Sequence, residues 1–534
     1  MKKSIQLALL LAIIALIVAC DTSKRALSQS DTKRPNIIVI MTDDHAKNAM
    51  SLYGSQLIRT PNMDRIGKEG ITFKNAFVTN SICGPSRAVI LTGKYSHING
   101  FRDNGDRFDG SQWTFPKVLQ QNGYYTAMIG KWHLTTAPTG FDYWNIIIDQ
   151  GQYYNPDMIE NGDTSRLTGY TTDIITDIAK RTLSKRPRDK PFCMLYYHKA
   201  PHRNWMPEQK HFSMYDEDVD LPLPPTFYDD YKGRTAAAQQ DMEIKDMFWS
   251  MDMKLFLPEG MEDPGSGGSG AKSKYNPKND WKVNYGRLTP VQKKIWDDFY
   301  RPISESFFAK NLEGKELEEW MYQRYIKDYL RSVASVDENI GELLQYLKEL
   351  GELDNTLIIY TSDQGFFLGE HGWYDKRFMY EESFGTPMVM RYPKKIKPGT
   401  VNENLVLNLD LAPTILDVAG IPIPENVQGE SLVPLFNKKE AKDWRQDVYY
   451  HYYEYPHGWH SVKRHLGIRT DRYKLIHFYN DIDQWELYDL QEDPHEMNNV
   501  YDDPANQELI TELKQRLRAL VVKYKDESSL ELVK

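Results

Sequence analysis

Four short apolar runs along this chain each end abruptly on charged or imidazole residues. Asn36–Met41 is a largely β-branched stretch followed by Asp43-Asp44, and Tyr125–Ile129 leads into Gly130-Lys131-Trp132-His133. Phe192–Tyr197 leads into His198 and His202, and Leu357–Thr361 into Ser362-Asp363-Gln364. Continuous apolar runs, rather than alternating ones, predict parallel strands buried on both faces. Segments of helical period separate them. The clearest spans about Trp320–Leu350, where Leu330, Val333, Val336, Ile340, Leu343, Leu344 and Leu347 recur at three- and four-residue spacings and Gly351 stops the pattern. Strands alternating with helices predict an α/β fold, a mostly parallel sheet flanked by helices. In such sheets sites form beyond the carboxyl ends of the strands, so the four polar ends are expected to meet in one site.

Two stretches depart from that alternation. Residues 205–301 are rich in Pro, Asp, Tyr and Met and carry a Gly/Ser run from Pro264 to Gly270. They are expected to form a long, partly irregular insertion near the mouth of the site. Beyond residue 424, Val448–Tyr453, Leu466–Arg469, Tyr473–Phe478 and Trp485–Tyr488 read as short antiparallel strands, closed by a helix at about Ala505–Lys525. The chain therefore divides into a main domain over 34–424 and a smaller C-terminal α+β domain over 425–534, which contains an antiparallel sheet.

The N-terminus follows another pattern. Lys2 and Lys3 precede Ile5–Ala19, which is apolar apart from Gln6 and shorter than the ~20 residues that span a membrane. Residues 1–19 read as a signal peptide. Its end, Leu16-Ile17-Val18-Ala19-Cys20, resembles the bacterial lipobox. That resemblance implies lipidation of Cys20, a polar tether over 20–33, and an exported protein held on a bacterial membrane, periplasmic or at the cell surface.

Composition excludes some classes. With 40% hydrophobic and 26% charged residues the chain is globular. A net charge of -9 argues against nucleic acid as a partner, so an anionic substrate must be drawn in by a local basic cluster. Only Cys20, Cys83 and Cys193 are present, which leaves no disulfide framework. Cys193, inside an apolar run, reads as a core residue. Asp43, Asp44, Asp363 and Gln364 make an all-oxygen donor set suited to a hard cation, calcium or magnesium, and not to zinc.

The segment Cys83-Gly84-Pro85-Ser86-Arg87-Ala88-Val89-Ile90-Leu91-Thr92-Gly93 resembles the type I sulfatase signature C-x-P-S-R-x-x-x-L-T-G at every specified position. The resemblance runs from about Arg34 to the C-terminus. It implies an alkaline-phosphatase-like fold and a sulfuric ester hydrolase. It implies that a formylglycine-generating or anaerobic sulfatase-maturating enzyme oxidises Cys83 to formylglycine at a helix N-terminus. A thiol attacking sulfur would stop at a stable thiosulfate. A hydrated aldehyde offers two hydroxyls, one to attack sulfur and one whose deprotonation expels sulfate. By the same resemblance Asp43, Asp44, Asp363 and Gln364, with the modified Cys83, hold one divalent cation, calcium being the expected ion. Arg87, Lys131 and Lys376 surround the sulfuryl oxygens together with that metal. Gly130-Lys131-Trp132-His133 matches the family's G-K-W-H, in which His133 contacts formylglycine and takes the second hydroxyl proton. Ala200-Pro201-His202 matches A-P-H, in which His202 protonates the leaving oxygen; His198 is its neighbouring competitor. In Gly369–Lys376 the resemblance places Lys376 on sulfate and His371 along the pocket.

Two other readings share these features. One is a phosphomonoester or phosphonate hydrolase on the same fold; the other is a glycan-binding lipoprotein that has lost catalysis, against which the intact set of candidate residues argues. For the substrate, Val462–Ile476 followed by Trp485–Leu490 resembles the C-terminal part of N-acetylglucosamine-6-sulfatases and heparan 6-O-endosulfatases. The basic turn Lys463-Arg464-His465 is then expected to contact substrate. His457, Trp459 and His460 either offer an aromatic platform for a sugar ring or pack against the main domain. The implied substrate is the 6-O-sulfate of N-acetylglucosamine in heparan, heparin or mucin fragments.

Overall fold

A computed structural model describes residues 33–265, 277–437, 443–458 and 460–534. The signal segment, Cys20, the tether up to residue 32, most of the Gly/Ser run and Trp459 lie outside the described residues. The four apolar runs form the strands Asn36–Thr42, Tyr125–Lys131, Phe192–Tyr197 and Thr356–Ser362. They sit side by side in the order Thr356–Ser362, Asn36–Thr42, Phe192–Tyr197, Tyr125–Lys131, every pair parallel. All four carboxyl ends therefore share one edge. Shorter strands extend this core to ten, several of them antiparallel, so the sheet is mixed but parallel at its centre.

The absence of alternation in these runs follows from burial on both faces. Ile38 and Ile40 point into one layer with Met194, Tyr196, Ile358 and Tyr360, while Ile37, Val39 and Met41 point into the other with Cys193, Leu195, Leu357 and Ile359. Helices Thr171–Lys185 and Gly314–Glu349 roof the first layer, and Phe115–Gln121 and Leu411–Val418 the second. Each such buried Ile or Leu contributes roughly 1.5–3 kcal/mol relative to leaving it in water.

In the C-terminal part, Asp447–Tyr452, His465–Thr470, Tyr473–Phe478 and Gln484–Asp489 form an antiparallel meander backed by the Gln507–Lys523 helix. Tyr450, Leu466 and Phe478 belong to the same contiguous core as the main sheet, so this small sheet is packed into the larger domain. The described residues of the insertion pack closely. Trp205, Met253 and Trp296 are fully buried, and the Pro290–Lys310 helix starts on a reciprocal capping box between Thr289 and Gln292.

Candidate active site

Strand register brings the acidic residues together. Thr42 lies opposite Ser362 in the parallel pair, so the chain leaves both strands at the same level, into Asp43-Asp44 and Asp363-Gln364. One carboxylate oxygen from each of Asp43, Asp44 and Asp363 lies within 4.8 Å of the others. All three residues are fully buried, which is costly unless the charge is balanced. Three cations balance it. The Lys131 ammonium donates to Asp43 Oδ2, and Lys376 Nζ lies 2.7 Å from both oxygens of Asp44. Arg87 reaches Asp363 Oδ2 through Nε at 2.9 Å and Nη2 at 2.8 Å.

The Cys83–Thr92 helix presents Cys83 as its first residue, after an extended Ile82. Two other signature residues lock this helix to the Thr356–Ser362 strand. Arg87 binds the Asp363 carboxylate, and the Ser86 hydroxyl donates to the Asp363 carbonyl while accepting from Asn408 Nδ2 at 2.8 Å. The glycine before Lys131 has a steric cause: Gly130 has φ +98°, and a Cβ there would sit 1.8 Å from the Tyr197 carbonyl oxygen. Asp44, His133, Asp375 and Arg377 also hold positive φ, a strained backbone that clusters at functional sites.

Burial and charge set the protonation states. Burial lifts the Asp44 carboxyl to about 6, Lys376 offsetting only part of the effect, and burial with the Asp43 charge lifts Asp363 to about 7. For Asp43 burial is outweighed by Lys131, His202 and Arg87, which hold it well below the usual carboxylate range. Burial, then Asp43, drives the Cys83 thiol well above its ordinary value, so unmodified Cys83 stays a thiol and a poor nucleophile. His133 and His202 are pushed well below theirs, by burial first and by Lys131 next, and both are neutral. His202 Nδ1–H donates to the Arg203 carbonyl at 2.7 Å, which leaves Nε2 on the side of Asp44, 3.7 Å from Oδ2.

The donor set fits a hard divalent cation. Among the described residues Asp43 Oδ1 and Gln364 Oε1 are buried with no hydrogen-bond partner, and they accompany the clustered carboxylates. The Gln364 amide nitrogen donates to Asp44 Oδ1 and lies 3.7 Å from Cys83 Sγ, so this side chain sits between the carboxylates and the helix N-terminus.

A cleft of about 740 Å³ opens over this cluster, and Cys83, His133, His202 and Lys376 line it. Arg87 and Lys131 stand behind its wall, fully engaged with Asp363, the Lys131 carbonyl, Asp43 and Gln150. His457 and His460 line the cleft, His460 also packing against Asp241, Tyr374 and Asp375 of the main domain, and the insertion contributes Met251, Val283 and Asn284 to the mouth. Sequence reasoning missed Gln150, Lys199, Asp375, Arg377 and Glu454. Gln150 follows the carboxyl end of the Tyr143–Ile147 strand, the signal that identified the other sites, and Asp375 and Arg377 flank Lys376.

Four expected substrate contacts need correction. His371 is fully buried, with Nδ1 2.7 Å from Asp229 Oδ2 and its ring against Trp373 and Tyr380, away from the cleft wall. Arg464 pairs with Asp481, and Lys463 lies over the Tyr455 ring. His465 is enclosed by Phe378, Tyr450, Tyr452 and Phe478. Its Nδ1–H donates to the Lys463 carbonyl at 2.8 Å and its Nε2 accepts the Met379 N–H at 3.1 Å. Arg464 and Lys463 are thus engaged within the C-terminal part, and His465 ties the small sheet to the chain after Lys376. His465→Ala should accordingly lower stability by about 2–4 kcal/mol, through a cavity and an orphaned Met379 N–H, in denaturant unfolding. KM should stay within about twofold; a large KM rise at unchanged stability would return His465 to the cleft. His198, the competitor of His202, is buried beside Tyr196 and does not line the cleft.

Comparison with known proteins follows the same lines. A family model described as "Sulfatase" matches residues 35–421, and one described as "N-sulphoglucosamine sulphohydrolase, C-terminal" matches 369–523. The N-acetylglucosamine-6-O-sulfatase of Bacteroides thetaiotaomicron is 50% identical over 525 residues, 97% of this chain and 91% of that protein. The N-acetylglucosamine-6-sulfatase of Homo sapiens is 26% identical over 448 residues, covering 79% of this chain and 68% of its own. A solved structure of a protein with its substrate D-glucosamine-2-N,6-O-disulfate superposes with a TM-score of 0.88 at 51% identity, covering 93% of this chain and 99% of that one.

Proposed function

This chain belongs to the sulfatase family, and from that premise we propose that it hydrolyses the 6-O-sulfate of glucosamine units, N-acetylglucosamine foremost, in heparan, heparin or mucin fragments. The observation that carries this reading is 50% identity, over 97% of the chain, to an N-acetylglucosamine-6-O-sulfatase. Asp43, Asp44, Asp363 and Gln364 would hold the divalent cation, calcium in our reading, which when bound would supply positive charge to the sulfuryl oxygens, and Cys83, once converted to formylglycine, would supply the attacking hydroxyl.

The chain's own residues prepare that chemistry. Three buried carboxylates face three buried cations, so the protein side of the cluster is near neutral, and a divalent ion makes it positive toward an anionic ester. Burial works against the charge on Lys376, but Asp44 and Asp375 beside it outweigh burial and keep it an ammonium, and it faces the cleft and binds the sulfate. Arg87 orients the Asp363 carboxylate and is a positioning residue. The Arg203 carbonyl aims His202 so that Nε2 reaches the leaving sugar oxygen; the negative charge of a bound ester favours the imidazolium there, ready to give up its proton.

The test is a panel of 6-O-sulfated N-acetylglucosamine, 6-O-sulfated galactosamine, 2-O-sulfated uronate and 3-O-sulfated galactose, with released sulfate measured by ion chromatography. The first should be preferred by at least about tenfold in kcat/KM, the ~1.4 kcal/mol that one lost sugar hydrogen bond is worth. Preference for any of the others overturns the substrate assignment and leaves the sulfatase family membership intact.

A further inference from the structure

Lys131, Gln150 and His133 form a relay whose hydrogens follow by elimination. Lys131 Nζ lies 2.6 Å from Gln150 Oε1, and Gln150 Nε2 lies 3.0 Å from His133 Nε2. An ammonium only donates, so the amide oxygen must face Lys131. The amide NH₂ then faces the imidazole, and an NH₂ also only donates. His133 Nε2 is left with one role, that of acceptor. In a neutral imidazole the proton then sits on Nδ1, which is buried with no hydrogen-bond partner among the described residues although the residue lines the cleft together with Cys83. One competitor exists. Asp149 Oδ1 is 3.6 Å from His133 Nε2 and would favour a proton there, but its side chain is 78% exposed. At that distance and exposure it makes no hydrogen bond and is screened by solvent, so the half-buried amide at 3.0 Å decides the tautomer.

We propose that Gln150 is a positioning residue that holds His133 as its Nδ1–H tautomer, so that in the resting enzyme His133 meets the group formed from Cys83 as a hydrogen-bond donor and not as a base. The role in turnover rests on the sulfatase reading; the tautomer rests on hydrogen bonding alone. This alters the expectation drawn from resemblance, in which His133 takes a proton directly. With Nε2 blocked by the amide and Nδ1 already protonated, the resting imidazole has no free lone pair, and any proton it accepts requires Gln150 to let go first.

Gln150→Glu tests this in the full chain, because a carboxylate of the same shape accepts from both neighbours and forces the proton onto His133 Nε2. In the wild type, ¹⁵N-histidine NMR should show a pyrrole-type Nδ1 and a pyridine-type Nε2 for His133, assigned by loss of the signals in His133→Asn. Gln150→Glu should exchange the two, and kcat should fall at least about tenfold with KM within about threefold, as fixing the wrong tautomer does in other histidine-dependent active sites. Gln150→Ala, the second variant should the carboxylate disturb folding, should show both tautomers and a smaller fall in kcat. A wild-type His133 protonated at Nε2, or no exchange in Gln150→Glu, overturns the assignment. Exchanged tautomers with unchanged kcat overturn the role in turnover. Failure of the sulfatase reading is a separate result, visible as a wild type that releases no sulfate while its tautomer is as assigned.

Discussion

Cys83→Ala should yield a folded protein whose sulfate release is lower by on the order of 10⁴–10⁶-fold, the scale of removing a covalent nucleophile. Folding should survive because Cys83 does not anchor its own helix. Ser86 and Arg87 tie the Cys83–Thr92 helix to Asp363, and Asn408 braces Ser86, without help from the thiol. Activity should not survive, because among the described residues that line the cleft no other side chain stands at a helix N-terminus beside the clustered carboxylates. The same logic separates modification from mere presence of sulfur. The buried thiol is pushed far above its ordinary range by burial and by Asp43, so wild-type protein made without a maturation enzyme should be nearly as inactive as Cys83→Ala. Sulfate release by Cys83→Ala near the wild-type rate would overturn the assignment of the nucleophile. Mass spectrometry across the Cys83 peptide reports which form each preparation holds.

What could be read from the sequence, and what could not, divides along a physical line. The four central strands were legible because burial on both faces removes every charged residue from a run and then releases the chain abruptly at the sheet edge. The parallel order could be inferred as a class, but the register that sets Thr42 against Ser362, and so brings Asp43 to Asp363, depends on pairing between residues over three hundred positions apart. Local pattern carries no information about such a pairing. The C-terminal meander was legible within a residue or two for each strand. Its basic turn was not: Lys463, Arg464 and His465 look the same in sequence whether they face a cleft or an aromatic core, and only the surrounding Phe378, Tyr450, Tyr452 and Phe478 decide it. Arg87 and Lys131 were placed in the site by motif, yet whether a cation touches substrate or stands behind the wall depends on which acids reach it first. Gln150 follows the carboxyl end of a strand as the other site residues do, but an uncharged glutamine there does not show in the sequence which groups it bridges. Its meaning comes from standing between a pure donor and an imidazole.

Removal of the metal by a strong chelator should reduce turnover on the order of 10³-fold or more, the rate equivalent of several kcal/mol of charge stabilisation, and calcium or magnesium should restore it. Stability should respond as well, with a sign fixed by the carboxylates. In the metal-free protein burial raises the Asp44 carboxyl to about 6 and Asp363 to about 7, against ~3.9 in the unfolded chain. Between those values the folded protein binds more protons than the unfolded one, so the contribution of these two groups is fully present below about pH 4 and is lost as pH rises through 6 and 7. Asp43 runs the other way, held well below its ordinary range, so its contribution is present above about pH 4 and is constant across the same window. The chelated protein should therefore melt at a lower temperature at pH 8 than at pH 5. A bound divalent cation replaces the mutual repulsion of three carboxylates within 4.8 Å with attraction, and at a hundredfold excess over Kd it adds about 2.7 kcal/mol. Calcium should consequently raise Tm more at pH 8 than at pH 5, where protons compete for the same oxygens. Differential scanning calorimetry with and without chelator at the two pH values measures this directly. Full activity after stringent chelation, no effect of calcium on Tm, or zinc as the sole restoring ion would each contradict a hard-cation site on Asp43, Asp44 and Asp363, since soft-ligand preference cannot arise from oxygen donors alone.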